Sequence, residues 1–106
     1  MAASQVPERR RHPRVCLPFP AAVEGVDVSG RPFRAETVLD DLSVGGVYVR
    51  LAERVGRDAV LMITARFSRV AGRGIIVRLT GKVMRVEPRP GGLFGVAVAV
   101  EDRQLL

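Results

Sequence analysis

Residues 33–51 read Phe-Arg-Ala-Glu-Thr-Val-Leu-Asp-Asp-Leu-Ser-Val-Gly-Gly-Val-Tyr-Val-Arg-Leu. Phe33, Ala35, Thr37 and Leu39 alternate with Arg34, Glu36 and Asp40, and Val47, Val49 and Leu51 alternate with Tyr48 and Arg50. Side chains on an extended chain point to opposite faces in turn, so this period of two marks a pair of half-buried strands. Between them lies Asp41-Leu42-Ser43-Val44-Gly45-Gly46, rich in the residues that favour turns. The stretch therefore predicts strand, turn, strand. By plain alternation, Asp41 falls on the Leu39 face and Asp40 points outward.

The same grammar extends in both directions. Upstream, Phe19 to Val28 is a broken apolar run closed by Ser29-Gly30, with Pro18 and Pro20 confining its first half to a sheet edge. Downstream, Asp58 to Arg66 encloses the run Ala59-Val60-Leu61-Met62-Ile63, and 68–74 is a loop. Val77, Leu79, Gly81 and Val83 then alternate with Arg78, Thr80 and Lys82. Pro88 to Gly92 holds two Pro and two Gly and predicts a turn, and Leu93 to Val100 is the last strand. No segment sustains a 3.6-residue period. Six strands and no helix predict an all-β protein, a small six-stranded antiparallel β-barrel whose closure removes exposed edges.

The totals agree. At 106 residues, 47% of them hydrophobic, the chain suits one folded domain with one core. Residues 1–14 are polar, contain Pro7 and Pro13, and read as a flexible arm preceding a barrel domain over 15–106. No stretch approaches the ~18 to 20 apolar residues of a membrane span, and the arginine-rich start lacks a secretory core. A single cysteine, Cys16, fits a reducing compartment, so the cytoplasm is the expected location. The net charge of +6 raises the expectation of an anionic partner. That charge is concentrated at Arg9, Arg10, Arg11 and Arg14.

Two motifs carry the functional reading. Arg10-Arg11-His12-Pro13-Arg14 is an R-x-x-x-R on the arm, and Asp41 to Gly46 is a D-x-S-x-x-G. The first spacing recurs at Arg50/Arg54, Arg69/Arg73 and Arg85/Arg89 in a chain with 16 Arg and one Lys. The weight lies in order and context: the arginine motif stands just before the first strand, and the Asp-Ser-Gly motif closes the second. With the later strands following as they do, residues 8 to about 102 resemble the PilZ domain family, the bacterial receptor module for cyclic di-GMP.

The resemblance implies a six-stranded barrel and a ligand but no cofactor and no catalysis. Carried over, Arg10 and Arg14 grip phosphate and guanine, while Asp41, Ser43 and Gly46 contact the other guanine. Arg9, just before the motif, implies a stacked pair of nucleotides. Chemically the assignment is sound. Arginine binds phosphate bidentately, stacks on purines and donates to guanine O6 and N7. A carboxylate accepts from guanine N–H groups, and a hydroxyl donates or accepts. Gly45 and Gly46 allow close backbone approach and positive φ. Family members often end in a helix; here Glu101 to Leu106 leave room for about a turn and a half, so little or no C-terminal helix is expected.

Other chemistry finds little support. One histidine, His12, and one cysteine do not make a metal set, and no nucleophile–base constellation can be assembled, so an enzyme is not expected. The receptor reading implies an unidentified protein partner that senses a ligand-driven change in the arm. Two rivals use the same residues: a nonspecific nucleic-acid-binding barrel with the arginines on phosphates, and an adaptor for which the ligand is irrelevant.

Overall fold

The computed structural model describes residues 19–42, 45–70 and 73–106. Six strands are present: β1 (Phe19–Val26), β2 (Pro32–Leu42), β3 (Gly46–Leu51), β4 (Val60–Val70), β5 (Arg73–Arg89) and β6 (Leu93–Leu105). They close into a barrel in the order β1-β2-β3-β6-β5-β4, with every seam antiparallel. Among the described residues the only helical element is a 3-10 turn, Pro90–Gly92, joining β5 to β6. The all-β, six-stranded antiparallel barrel is thus as the alternation predicts.

Inward positions build the core. Val23, Leu39, Val49, Leu61, Ile63, Val83 and Val96 are fully buried, and among the described residues no polar or charged one is buried with them. Burying such a side chain contributes ~1.5 to 3 kcal/mol, so one alternating face per strand suffices to drive closure. The chain crosses the barrel end between β3 and β4. That crossing is tied down by Asp58 N–H to the Val83 carbonyl (2.9 Å) and Val28 N–H to the Arg54 carbonyl (2.9 Å), with Val55 inserted into the core. The β1–β2 turn is held by the Asp27 carboxylate, which accepts from the N–H groups of Ser29 (2.8 Å) and Arg31 (3.0 Å).

Two local expectations are corrected. The loop expected over 68–74 is shorter, because β4 and β5 stay paired as far as Val70 opposite Arg73. The last residues are neither helix nor tail: β6 runs on to Leu105, which pairs with Val77, since the long β5 offers backbone partners. Pro20 agrees with its edge assignment, lying in the part of β1 paired with β2 but not yet with β4.

Three single-residue irregularities change which way side chains face. On β2, Leu39 pairs with Val49 and Asp41 with Tyr48, so Asp40 is an extra residue. On β5, Val83 pairs with Val98 and Arg85 with Ala97, so Met84 is extra. On β6, Thr80 pairs with Asp102 and Gly81 with Val100, which leaves Glu101 extra. A bulge of this kind resets the in–out alternation of everything after it.

Candidate functional site

Plain alternation turns Asp41 inward with Leu39. The Asp40 bulge overturns that expectation: Asp41 joins Tyr48 on the outer face, while Leu42 returns to the core side opposite the buried Val47. Asp40 also faces out, where its carboxylate takes Arg50 Nε at 2.7 Å. The Met84 bulge does the same for Arg85, which would otherwise share the inward phase of Val83.

The two bulges align one transverse row on the outside of the barrel. Asp41 on β2 pairs with Tyr48 on β3, Tyr48 with Ala97 on β6, and Ala97 with Arg85 on β5. At ~4.8 Å per strand, the three seams place the carboxylate and the guanidinium backbones about 14 Å apart. The middle of the row is low because Ala97 is small. A cavity of about 390 Å³ results, lined by Asp41, Gly46, Tyr48, Arg85, Arg89 and Ala97 with Val47. Its size falls within the ~300 to 1,000 Å³ usual for small-ligand sites.

One wall is held by a polar chain across three strands. The Tyr48 hydroxyl donates to Glu87 Oε1 at 3.2 Å, and Arg85 Nε donates to Glu87 Oε2 at 2.9 Å. Tyr48 reaches β5 by lying over Gly95, where any Cβ would collide with its hydroxyl. Burial, then the hydrogen bond to Glu87 and that carboxylate's charge, push the Tyr48 phenol above its usual value of 10.0. Glu87 is held below the usual 4.5, first by the Arg85 hydrogen bond and then by Tyr48. At neutral pH the wall is therefore a neutral phenol against a charged carboxylate–guanidinium pair. Arg85, Glu87 and Arg89 occupy alternate, outward positions of β5. Arg89 has no ion-pair partner among the described residues, so its charge is available to the cavity.

Of the residues expected from the sequence, Asp41 and Gly46 come together here. Arg9, Arg10, Arg14 and Ser43 lie outside the described residues, as does the arm 1–14. Gly46 serves differently from expectation. Neither Gly45 nor Gly46 has positive φ. A side chain at Gly46 would instead be tight, because its Cβ would stand 3.0 Å from the Val98 carbonyl oxygen. Tyr48, Arg85, Glu87 and Arg89 had no assigned role. The available signal was Arg85-x-Glu87-x-Arg89, three charges on one strand face, hidden by the abundance of arginine.

The barrel thus sets a carboxylate and two guanidiniums around a shallow, aromatic-walled cavity on its outer face. The comparisons name its kind: the PilZ domain family matches residues 8–106, and the chain belongs to that family. Two solved structures share the architecture. The inhibitor of motility MotI/DgrA of Bacillus subtilis superposes with a TM-score of 0.71 at 15% identity, over 90% of this chain and 44% of that one. The MrkH–c-di-GMP complex of K. pneumonia gives 0.54 at 17%, over 92% of this chain and 46% of that one. The chain thus spans less than half the length of either. No curated protein matches by sequence.

Proposed function

We propose that this protein is a receptor for cyclic di-GMP, read at the outer-face cavity of β2, β3, β5 and β6. The observation that carries the reading is the transverse row, which sets the Asp41 carboxylate across from Arg85 and Arg89 with Tyr48 between them. A guanine nucleotide offers what each group wants: N–H donors for a carboxylate, an anion and O6/N7 acceptors for guanidinium, and a flat face for an aromatic ring. Family membership supports it, as does the ligand named in the MrkH complex.

Within this reading Arg10 and Arg14 close over the nucleotide from the N-terminal side, Ser43 and Gly46 flank the base held by Asp41, and Arg9 meets the phosphates of a second, stacked nucleotide. Closure of 1–14 over the ligand changes the surface offered to a partner protein in the cytoplasm, which is how binding becomes a signal. The domain binds and does no chemistry on the ligand.

Tyr48 is the one tyrosine and the chain has no tryptophan, so its fluorescence reports on the cavity alone. Titration calorimetry and Tyr48 fluorescence with cyclic di-GMP, cyclic di-AMP, GMP and GTP test the proposal. Cyclic di-GMP should bind best, because adenine lacks O6 and the 2-amino group, and each lost bidentate pair is worth ~1 to 3 kcal/mol. Arg10→Ala or Arg14→Ala should abolish tight binding. Equal affinity for cyclic di-AMP would remove the guanine assignment. Duplex DNA binding at physiological salt that outcompetes the nucleotide would favour the nucleic-acid rival.

A further inference from the structure

A second concavity lies at the barrel end crossed by the β3–β4 connection. It encloses about 730 Å³, with Val28, Met84, Pro88 and Phe94 among its apolar lining and Arg54, Arg57 and Arg85 as its charged residues. Among the described residues no acidic one lines it. Val28 and Met84, both lining it, are 59% and 55% exposed, high for large apolar side chains. Met84 is there because it is the bulged residue of β5, displaced from the regular in–out pattern.

Three arginines of the barrel are matched by carboxylates: Arg34 by Glu24 and Glu36, Arg50 by Asp40, and Arg85 by Glu87. Arg54 and Arg57 have no ion-pair partner among the described residues. Arg54 instead lies over the Phe94 ring, with its guanidinium carbon 5.8 Å from the centroid, which fixes its charge at the rim. The nearby acids do not answer them. Asp27 is engaged by the Ser29 and Arg31 backbone, and Glu53 and Asp58 are not among the groove's lining residues.

An apolar floor with unmatched positive charge at its rim specifies its occupant. Phosphodiesters match the arginines but leave Val28, Met84 and Phe94 wet. A bilayer is entered by convex apolar surface, whereas this surface is concave. We infer that the groove docks an acidic segment of a partner protein, with an apolar side chain seated against Met84 and Phe94 and flanking carboxylates on Arg54 and Arg57. Such an arrangement puts the anchor in a desolvated pocket and the charges at the polar rim. The inference stands on the groove alone and does not depend on the nucleotide reading.

The test is an amide NMR titration of the full chain with a short synthetic peptide carrying Leu-Phe between Glu-Asp blocks. Its twin has every carboxylate replaced by an amide. Shifts should concentrate at Val28, Arg54, Arg57, Met84 and Phe94, and the twin should bind about tenfold more weakly or worse. Met84→Asp and Arg57→Glu should each weaken the acidic peptide about tenfold. Arg57→Glu should keep the parent's melting temperature and its affinity for cyclic di-GMP, since Arg57 is exposed and outside the cavity. The inference is overturned by no binding, by equal binding of the twin, or by shifts centred on Asp41 and Ala97. It is equally overturned if a DNA duplex or phosphatidylglycerol vesicles give the same map more tightly than the peptide.

Discussion

Replacing Gly95 by alanine is the most direct probe of how the cavity is held together. Gly95 does not need glycine's conformational freedom, since its φ is not positive. It needs empty space, because Tyr48 lies across it and an added Cβ would overlap the hydroxyl, while Arg89 Cγ stands 3.3 Å away. Overpacking of this kind costs ~1 to 3 kcal/mol. The obstruction is a side chain that can swing aside, so the low end, about 1 kcal/mol, is expected. For a domain of this size that lowers the melting temperature by ~4 to 8 °C. The displaced ring also releases Glu87, so the wall formed by Tyr48 and Arg85 loosens and cyclic di-GMP affinity should fall about tenfold, the equivalent of ~1.4 kcal/mol. The decisive assay is a double-mutant cycle by thermal or urea unfolding. If the clash is the whole cost, Gly95→Ala introduced into Tyr48→Ala should cost nothing, or stabilise by ~0.4 to 1 kcal/mol through a stiffer unfolded chain. Additive costs, or a Gly95→Ala protein as stable as the parent, would refute the reasoning.

Further outcomes follow from the same geometry. Gly81→Ala should be worse than Gly95→Ala, at ~3 kcal/mol or more by urea unfolding, because the new Cβ meets the Ala99 carbonyl oxygen of the neighbouring backbone, which cannot rotate away. Arg89→Ala should leave the unfolding midpoint within ~0.5 kcal/mol of the parent, as the residue is exposed, yet lower cyclic di-GMP affinity in calorimetry about tenfold. Because Glu87 is depressed by folding, its contribution is complete above pH 4.5 and lost as pH falls through the lower folded value; in a thermal series Glu87→Gln should remove that acid limb. Tyr48 is raised, so its contribution is complete below pH 10.0 and lost as pH rises through the folded value; ultraviolet titration of this single phenol should show Glu87→Gln lowering its pKa.

Alternation alone determined the barrel. Phe33 to Leu39 and Val47 to Leu51 each write a buried face into local sequence, and a period of two is a property that neighbouring residues express without knowing their partners. The Asp-Ser-Gly motif was legible for the same reason, as a run of turn residues closing a strand, and its Asp41 and Gly46 line one cavity. What faces the cavity was decided only by tertiary structure. The alternation of β2 read straight through Asp40 turns Asp41 into the core, and that of β5 read through Met84 buries Arg85. Both face out because each strand carries one more residue than its partner across the seam, a count that exists only once the strands are paired. The polar wall has the same origin. Tyr48, Gly95 and Glu87 come from three strands and meet because antiparallel register sets Tyr48 beside Ala97 and Gly95 beside Glu87. Gly95 and Glu87 share a hairpin, but Tyr48 stands 39 residues from Glu87, and nothing in the sequence around it encodes that meeting.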